Sequence, residues 1–214
     1  MTHKPNRAKR QAKSFAAAYR EIGVPGGLPA AAEDCFTAWY ELLLKWNRTT
    51  NLTRITEPAD AVAVHLLDAL PLARLLPPES DLLDIGSGAG SPGLVVAALR
   101  PDVRVTCSES VTKKSSFLMQ AAHAMGLANV RVAAARAEML AERFAFVGAK
   151  AVAEPAMLID RFAHLLRPGG TWVFFVTTRQ ETVLPDGYRV AETVDYRLPG
   201  EHGRRRLLVV RRNE

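Results

Sequence analysis

From Asp84 to Gly93 the chain reads Asp-Ile-Gly-Ser-Gly-Ala-Gly-Ser-Pro-Gly, and this stretch carries most of the chemistry that residue types and spacing suggest. Glycines such as Gly86 and Gly88 let a backbone turn sharply and approach a ligand that a Cβ would exclude. The run Gly88-Ala89-Gly90-Ser91-Pro92-Gly93 satisfies the dinucleotide pattern GxGxxG, a weak signal by itself. Asp84 separates the alternatives. A carboxylate two residues ahead of the first glycine repels a pyrophosphate and attracts a ligand with a cationic amine and a sulfonium, so S-adenosylmethionine is the expected cofactor. Glu109, about 20 residues on, falls where an acid can accept both hydroxyls of a ribose. Ala137-Glu138, after the third expected strand, sets a backbone amide and a carboxylate against an adenine edge.

The residues also narrow the acceptor. Ala149-Lys150-Ala151 closes the fourth expected strand, and no Asn/Asp-Pro-Pro-aromatic motif stands there to hold an exocyclic amino group. Cys107 lies on the second strand, and neither Pro-Cys nor Thr-Cys occurs at the fourth or fifth strand end, which argues against nucleophilic activation of a pyrimidine carbon. A ring nitrogen or a hydroxyl is left. Guanine N7 exposes its lone pair and needs no general base, so alignment for in-line displacement and exclusion of water supply most of the rate.

These residues need elements to position them. Short apolar runs at Leu82 to Ile85, Val103 to Cys107, Val130 to Ala133, Phe144 to Ala149 and Thr171 to Val176 alternate with helical segments near 92–100, 113–125, 137–142 and 155–166. That alternation predicts βαβ units and a mostly parallel sheet. Pro168-Gly169-Gly170 reads as a tight turn into the fifth strand. Tyr188 to Leu198 and Arg206 to Arg211 read as two more strands whose short connection requires antiparallel pairing. A five-stranded parallel unit finished by an antiparallel hairpin resembles the layout of S-adenosylmethionine-dependent methyltransferases, and by that analogy the expected class is α/β: a Rossmann-like, seven-stranded class I S-adenosylmethionine-dependent methyltransferase fold with an N-terminal helical segment. The segment (28–78) is expected to hold one helix over 30–47, carrying Trp39 and Trp46 as core, and a second from a Thr56 cap to about Leu76, with Pro71 as a potential kink. His65 on its apolar face reads as a hydrogen-bonded core residue. A basic flexible tail (1–27) precedes it, and the methyltransferase domain spans 79–214.

The chain has 214 residues with 28 basic and 22 acidic side chains. The surplus of +6 is unevenly spread. Residues 1–20 hold six cations and no acid; the last eleven add Arg204, Arg205, Arg206, Arg211 and Arg212 against Glu214; residues 21–203 are left at −4. Basic ends on a mildly acidic body fit a docked polyanion. No uninterrupted apolar window is long enough to span a bilayer, and no apolar signal core opens the chain, so a soluble, cytoplasmic protein without a membrane partner is expected. Cys35 and Cys107 are far apart, and no Cys/His spacing offers a metal site.

As an ordered set these motifs resemble one family. Leu44-Lys45-Trp46-Asn47 with Asn51-Leu52-Thr53, His65-Leu66-Leu67-Asp68, the Asp84–Gly93 stretch, Glu109-Ser110 with Lys113-Lys114, Arg136-Ala137-Glu138, Ala149-Lys150-Ala151, Arg167-Pro168-Gly169-Gly170 and Leu198-Pro199-Gly200 are similar to the bacterial small-subunit rRNA guanine-N7 methyltransferases, RsmG or glucose-inhibited division protein B. The likeness covers about residues 36–211. It implies transfer of a methyl group to guanine N7 in 16S rRNA, with ribosomal RNA or the 30S subunit as partner, no metal, and a monomer. By position it implies cofactor contacts from Gly86, Ser91, Ala137 and Glu138, which join Asp84, Gly88 and Glu109 as cofactor-binding candidates; Lys150, standing where the family has an arginine, is a cofactor-binding and catalytic candidate. Lys113, Lys114, Arg204, Arg205 and Arg206 are the RNA-binding candidates. Ser91 replaces a usual bulky apolar residue, Glu109 a usual Asp, and Phe175-Val176-Thr177 a usual Lys-Gly segment. A small-molecule methyltransferase and a ribosome-associated binding protein with a vestigial site are the competing expectations.

Overall fold

The computed structural model describes residues 14–23, 32–179 and 181–213. The basic run from Lys4 to Lys13 lies outside them. Within the tail expected to be flexible, residues 15–22 instead form a helix, α1 (Phe15–Ile22), capped by Ser14, whose Oγ accepts from the Ala17 N–H at 3.2 Å. Phe15 anchors it, stacked on Tyr40 with centroids 4.8 Å apart. The stretch carries only Arg20 and Glu21 as charges, and its apolar residues Phe15, Ala18, Tyr19 and Ile22 stand at helical spacing directly behind the basic run.

Helix α2 (Ala32–Asn47) follows the expected pattern and buries Phe36, Trp39, Tyr40 and Leu43, whereas Trp46 is only partly buried. Asn47 ends it by organising the connector: its Oδ1 accepts from the Leu52 and Thr53 N–H groups, and its Nδ2 donates to the Thr53 carbonyl. The second expected helix is broken into four pieces. Helix α3 (Pro58–Ala61) is capped at Glu57 rather than Thr56, a π-helical turn covers Val62–Leu66, a 3₁₀ turn covers Leu67–Ala69, and α4 (Leu70–Leu75) completes it. Pro71 sits in the first turn of α4, where its missing N–H is harmless. The disruption lies upstream of it.

Seven strands then form one sheet: β1 (Asp81–Ile85), β2 (Arg104–Ser108), β3 (Val130–Ala133), β4 (Phe144–Lys150), β5 (Leu166–Thr177), β6 (Tyr188–Arg197) and β7 (Arg204–Arg212), in the order β3-β2-β1-β4-β5-β7-β6. The first five are parallel, and β7 runs antiparallel to both β5 and β6. The Pro168-Gly169-Gly170 turn is absorbed into β5, where the pairing jumps from Phe144↔Leu166 to Phe146↔Thr171. Helices α5 (Gly93–Leu99), α6 (Thr112–Ala124) and α7 (Pro155–Phe162) cover the faces; the helix expected near 137–142 is a single 3₁₀ turn, Ala137–Met139, and α7 ends in another, Ala163–Leu165.

Neighbouring residues of β1 point to opposite faces and find different cores, as strands covered on both sides require. Leu82 packs with the N-terminal helices, α5 and α6; Leu83 packs with α7, Trp172 and Phe174. Phe15, Phe36 and Trp39 belong to the same cluster as Val105, Phe117 and Leu207, so the N-terminal segment completes the first core. No described helix is long and apolar enough to cross a membrane.

Candidate functional site

In sequence order the chain builds outward from β1 to β2 and β3, then returns to the other flank of β1 with β4. Ligands bind at such reversal points, beyond the carboxyl ends of the strands. There a cleft of about 170 Å³ is walled by Gly86, Glu109, Arg136, Ala137, Glu138, Val152 and Arg161, among others. A second, about 450 Å³, opens at the ends of β4 and β5 between Ala149, Ala151, Val152, Met157, Phe174 and Phe175. Val152 forms a wall of both. Its position follows from Ala151, which holds a left-handed φ of 56° that costs a non-glycine residue energy and so marks a constrained site.

The glycine loop starts this geometry. Gly86 adopts φ 69°, and its N–H donates to the Ser108 carbonyl at 2.9 Å, tying the loop to the end of β2. A Cβ on Gly86 would lie 2.9 Å from Val152 Cγ2, at the wall between the clefts. Gly86→Val is therefore expected to weaken cofactor binding by at least about 100-fold, through left-handed strain and the crowded wall. Titration calorimetry reads this; wild-type affinity would place the cofactor elsewhere.

Among the expected contact residues, Gly86, Glu109, Ala137 and Glu138 do converge on the first cleft. Glu109 also holds the loop: its two carboxylate oxygens accept from the Gly88 N–H at 3.2 Å and the Val111 N–H at 2.9 Å. Glu138 is paired with Arg161, which holds its carboxyl below the usual range together with a backbone hydrogen bond, the larger cause. Arg161 comes from the last turn of α7 and had no motif to announce it. Asp84, Gly88, Ser91 and Lys150 are not among the residues walling the cleft.

Asp84 lies beneath the loop, 1% exposed. Its Oδ2 accepts from the Gly93 N–H at 3.0 Å, which fixes the start of α5, while Oδ1 has no hydrogen-bond partner. Burial pushes its carboxyl up to about 6, against the hydrogen bonds from Ser87 and Gly93 and the charge of Lys150. Gly93 must be glycine: a Cβ would meet Asp84 Oδ2 and Cys107 Sγ, each at 2.7 Å.

Ser91 and Lys150, expected to contact the cofactor, have their polar atoms engaged within the protein. Ser91 Oγ donates to the His65 carbonyl at 2.7 Å, behind the loop. Lys150 Nζ donates to the Val64 carbonyl at 2.8 Å and to Ser91 Oγ at 2.9 Å, and stands 3.3 Å from Asp68 Oδ2. An ammonium has three N–H donors, and three partners engage them. Asp68 in turn accepts from the Tyr196 hydroxyl at 2.7 Å. Lys150 thus clamps the π-helical turn, the glycine loop and β4 together, and the turn's departure from α-geometry presents the Val64 and His65 carbonyls to this clamp. Burial lowers the Lys150 pKa while Asp68 opposes the shift. Lys150→Met is expected to destabilise the fold by about 3–5 kcal/mol, because it leaves Asp68 buried without its cation. A solvated lysine would cost under about 0.5 kcal/mol, a difference that urea unfolding resolves.

His65 is a core residue, edge-on to Trp39, with Nε2 3.4 Å from Thr53 Oγ1. Burial, helped by the Lys150 charge, lowers its pKa to about 3 and keeps it neutral. Trp39 does more than pack: its Nε1–H donates to the Ala89 carbonyl in the glycine loop at 2.9 Å. Lys113 and Lys114 lie in the first turn of α6 at the carboxyl end of β2. Arg204, Arg205 and Arg206 open β7 at the same edge, Arg205 and Arg206 opposite Thr177 and Val176 and Arg204 opposite Arg197; Arg206 is in a two-bond pair with Asp195.

Comparison with known proteins places this geometry. Residues 33–207 match the model of the GidB family, described as rRNA small subunit methyltransferase G. A curated protein of that name from Neisseria gonorrhoeae (strain NCCP11945) is 43% identical over 142 residues, covering 66% of this chain and 69% of its own. Another from Xanthomonas axonopodis pv. citri (strain 306) is 39% identical over 190 residues, covering 86% and 89%. Among solved structures, a SAM-dependent methyltransferase from Thiobacillus denitrificans in complex with S-adenosyl-L-homocysteine shares the fold, with a TM-score of 0.50 at 19% identity over 61% of this chain and 66% of that one.

Proposed function

We propose, for a chain that belongs to the rRNA small subunit methyltransferase G (GidB) family, that the cleft at the β1/β4 reversal holds S-adenosylmethionine and that its methyl group goes to N7 of a guanine in small-subunit rRNA. The observation that carries this reading is the pair of adjoining clefts divided by Val152, one beside carboxylates and the glycine loop, the other offering Met157, Phe174 and Phe175 to a ring, with Glu154 also in its wall. The first cleft supplies Glu109 for ribose hydroxyls and the Ala137–Glu138 backbone for the adenine edge. When bound, the cofactor supplies the electrophilic methyl group. The second cleft, between Met157 and Phe175, receives the guanine and keeps water from the line of attack.

Guanine N7 attacks with its own lone pair, so no side chain has to remove a proton. That matches two clefts with no histidine among their lining residues; His65 is neutral, buried and turned to Trp39 and Thr53. Lys150 acts through Ser91 and Asp68 as a positioning residue. Lys113, Lys114, Arg204 and Arg205, on the same edge, supply cations for phosphates around the target. Nucleoside mass mapping of 16S rRNA from a strain lacking this chain tests the reading: one 7-methylguanosine should disappear and return on complementation. An unchanged nucleoside set would overturn it.

A further inference from the structure

The antiparallel pairing of β7 divides its basic residues between two edges of the sheet. Arg205 and Arg206 lie opposite Thr177 and Val176 at the edge of the clefts, whereas Arg211 lies opposite Thr171 at the other. At that far edge Arg212, from the end of β7, meets Arg143, just before β4, and Arg167, in β5. Together with Tyr188, Pro168 and Gly169 they wall a pocket of about 190 Å³ that has no acidic lining residue. Arg167 is braced by Asp81 at 2.6 Å. Arg143 and Arg212 are exposed, and neither has an acidic partner among the described residues.

Arg189 and Arg211 are directly opposed across β6 and β7, one residue along from the Tyr188–Arg212 pair and so on the other face of the sheet, outside the pocket. Arg104 and Arg131 extend the basic surface into the neighbouring groove, which shares Arg143 and Arg167 and offers only Asp81 and Glu142 in return. Arg104, Arg131, Arg143, Arg167 and Arg212 come from five separate strands or strand approaches, at the end of the sheet away from the clefts. The span of β4 from Phe144 to Lys150 puts this edge about 20 Å from the clefts.

We propose that the Arg143–Arg167–Arg212 pocket is a second docking surface for the phosphodiester backbone of the RNA substrate, with Tyr188 offering a ring face beside it. It rests on the rRNA reading above. The footprint is then bipartite: one set of cations surrounds the target base, and the other grips a phosphate run across the sheet. The planar guanidinium suits such contacts, because it can offer two N–H groups to one phosphate.

The test is binding of unmodified naked 16S rRNA by the full chain and by the double variant Arg143→Gln/Arg212→Gln over a salt series. Two lost phosphate contacts should flatten the slope of log affinity against log salt by roughly 1.4–1.8 and weaken binding on the order of tenfold or more at 0.1 M salt. Affinity for S-adenosylmethionine and melting temperature should stay at wild-type values, since both side chains are exposed and neither walls the cofactor cleft. Arg143→Lys/Arg212→Lys should keep the wild-type slope. A Gln variant with the wild-type slope overturns the proposal. So does a defect seen only on assembled subunits, which would assign the surface to an acidic protein face. The slope remains decisive even if no methyl transfer is found, an outcome that would sink the rRNA-methylation reading and leave this one standing or falling on its own.

Discussion

Asp84→Asn is expected to stabilise the fold at neutral pH and, in the same molecule, to remove most of its affinity for cofactor. The carboxyl is fully buried and its pKa is pushed up to about 6 from an ordinary 3.8, chiefly by burial. The folded state therefore binds this proton more tightly than the unfolded chain does. Stability falls as pH rises from about 4 to about 6, and is then flat; the ionised form costs about 3 kcal/mol above that window. Asn keeps an oxygen for the Gly93 N–H and carries no charge, so this loss should vanish together with its pH dependence. A cationic amine over the loop loses the negative field of the carboxylate, and affinity should drop by about 100-fold. Thermal melts from pH 4 to 8 and calorimetric titration with S-adenosylmethionine read the two effects separately. Unchanged affinity would reduce Asp84 to a fastener of α5, and a variant less stable than wild type at pH 7.5 would contradict the sign.

The second large effect is expected at Trp39, which is 2% exposed and joins the N-terminal segment to the glycine loop. Trp39→Ala should cost about 3–5 kcal/mol from lost packing and the cavity left behind. For a chain of this length that corresponds to a fall of roughly 6–20 °C in Tm. Trp39→Phe separates the two roles. It keeps much of the apolar contact with Phe15 and His65 but removes the hydrogen bond to the Ala89 carbonyl, leaving that acceptor buried without its donor at a cost of about 1–3 kcal/mol. Part of that cost should appear as weaker cofactor binding, because Ala89 belongs to the loop itself. If Trp39→Phe binds cofactor as wild type does, the N-terminal helices contribute to stability alone.

The sequence by itself determined the fold class and singled out Gly86, Glu109, Ala137 and Glu138, which the fold gathers around one cleft. The alternation of short apolar runs with helical spacing reports burial, which depends on local period, so all seven strands were legible to within a few residues apart from the start of β5. The glycine loop was legible because the positive φ angles at Gly86, Gly88 and Gly90 have few other residues to serve them, and Glu109, Ala137 and Glu138 followed from their places at strand ends. The order of motifs carried the family.

What only the tertiary structure decided concerns where side chains go once the elements meet. Lys150 reads alike in sequence whether it faces solvent, a base or a buried acid; its fate depends on Asp68 and Val64, some eighty residues away. The same contact falls on the π-helical turn at Val62–Leu66, a departure from regular helix that no local propensity encodes. Asp84 and Ser91 face behind the loop because the start of α5 and the His65 carbonyl need partners more than the cleft does. The arginines of β7 form one run in sequence, yet antiparallel pairing sends them to opposite edges of the sheet. Period and composition describe how a segment is buried; the partners of a charged or hydrogen-bonding group are set by distant chain, and only the assembled packing brings them within reach.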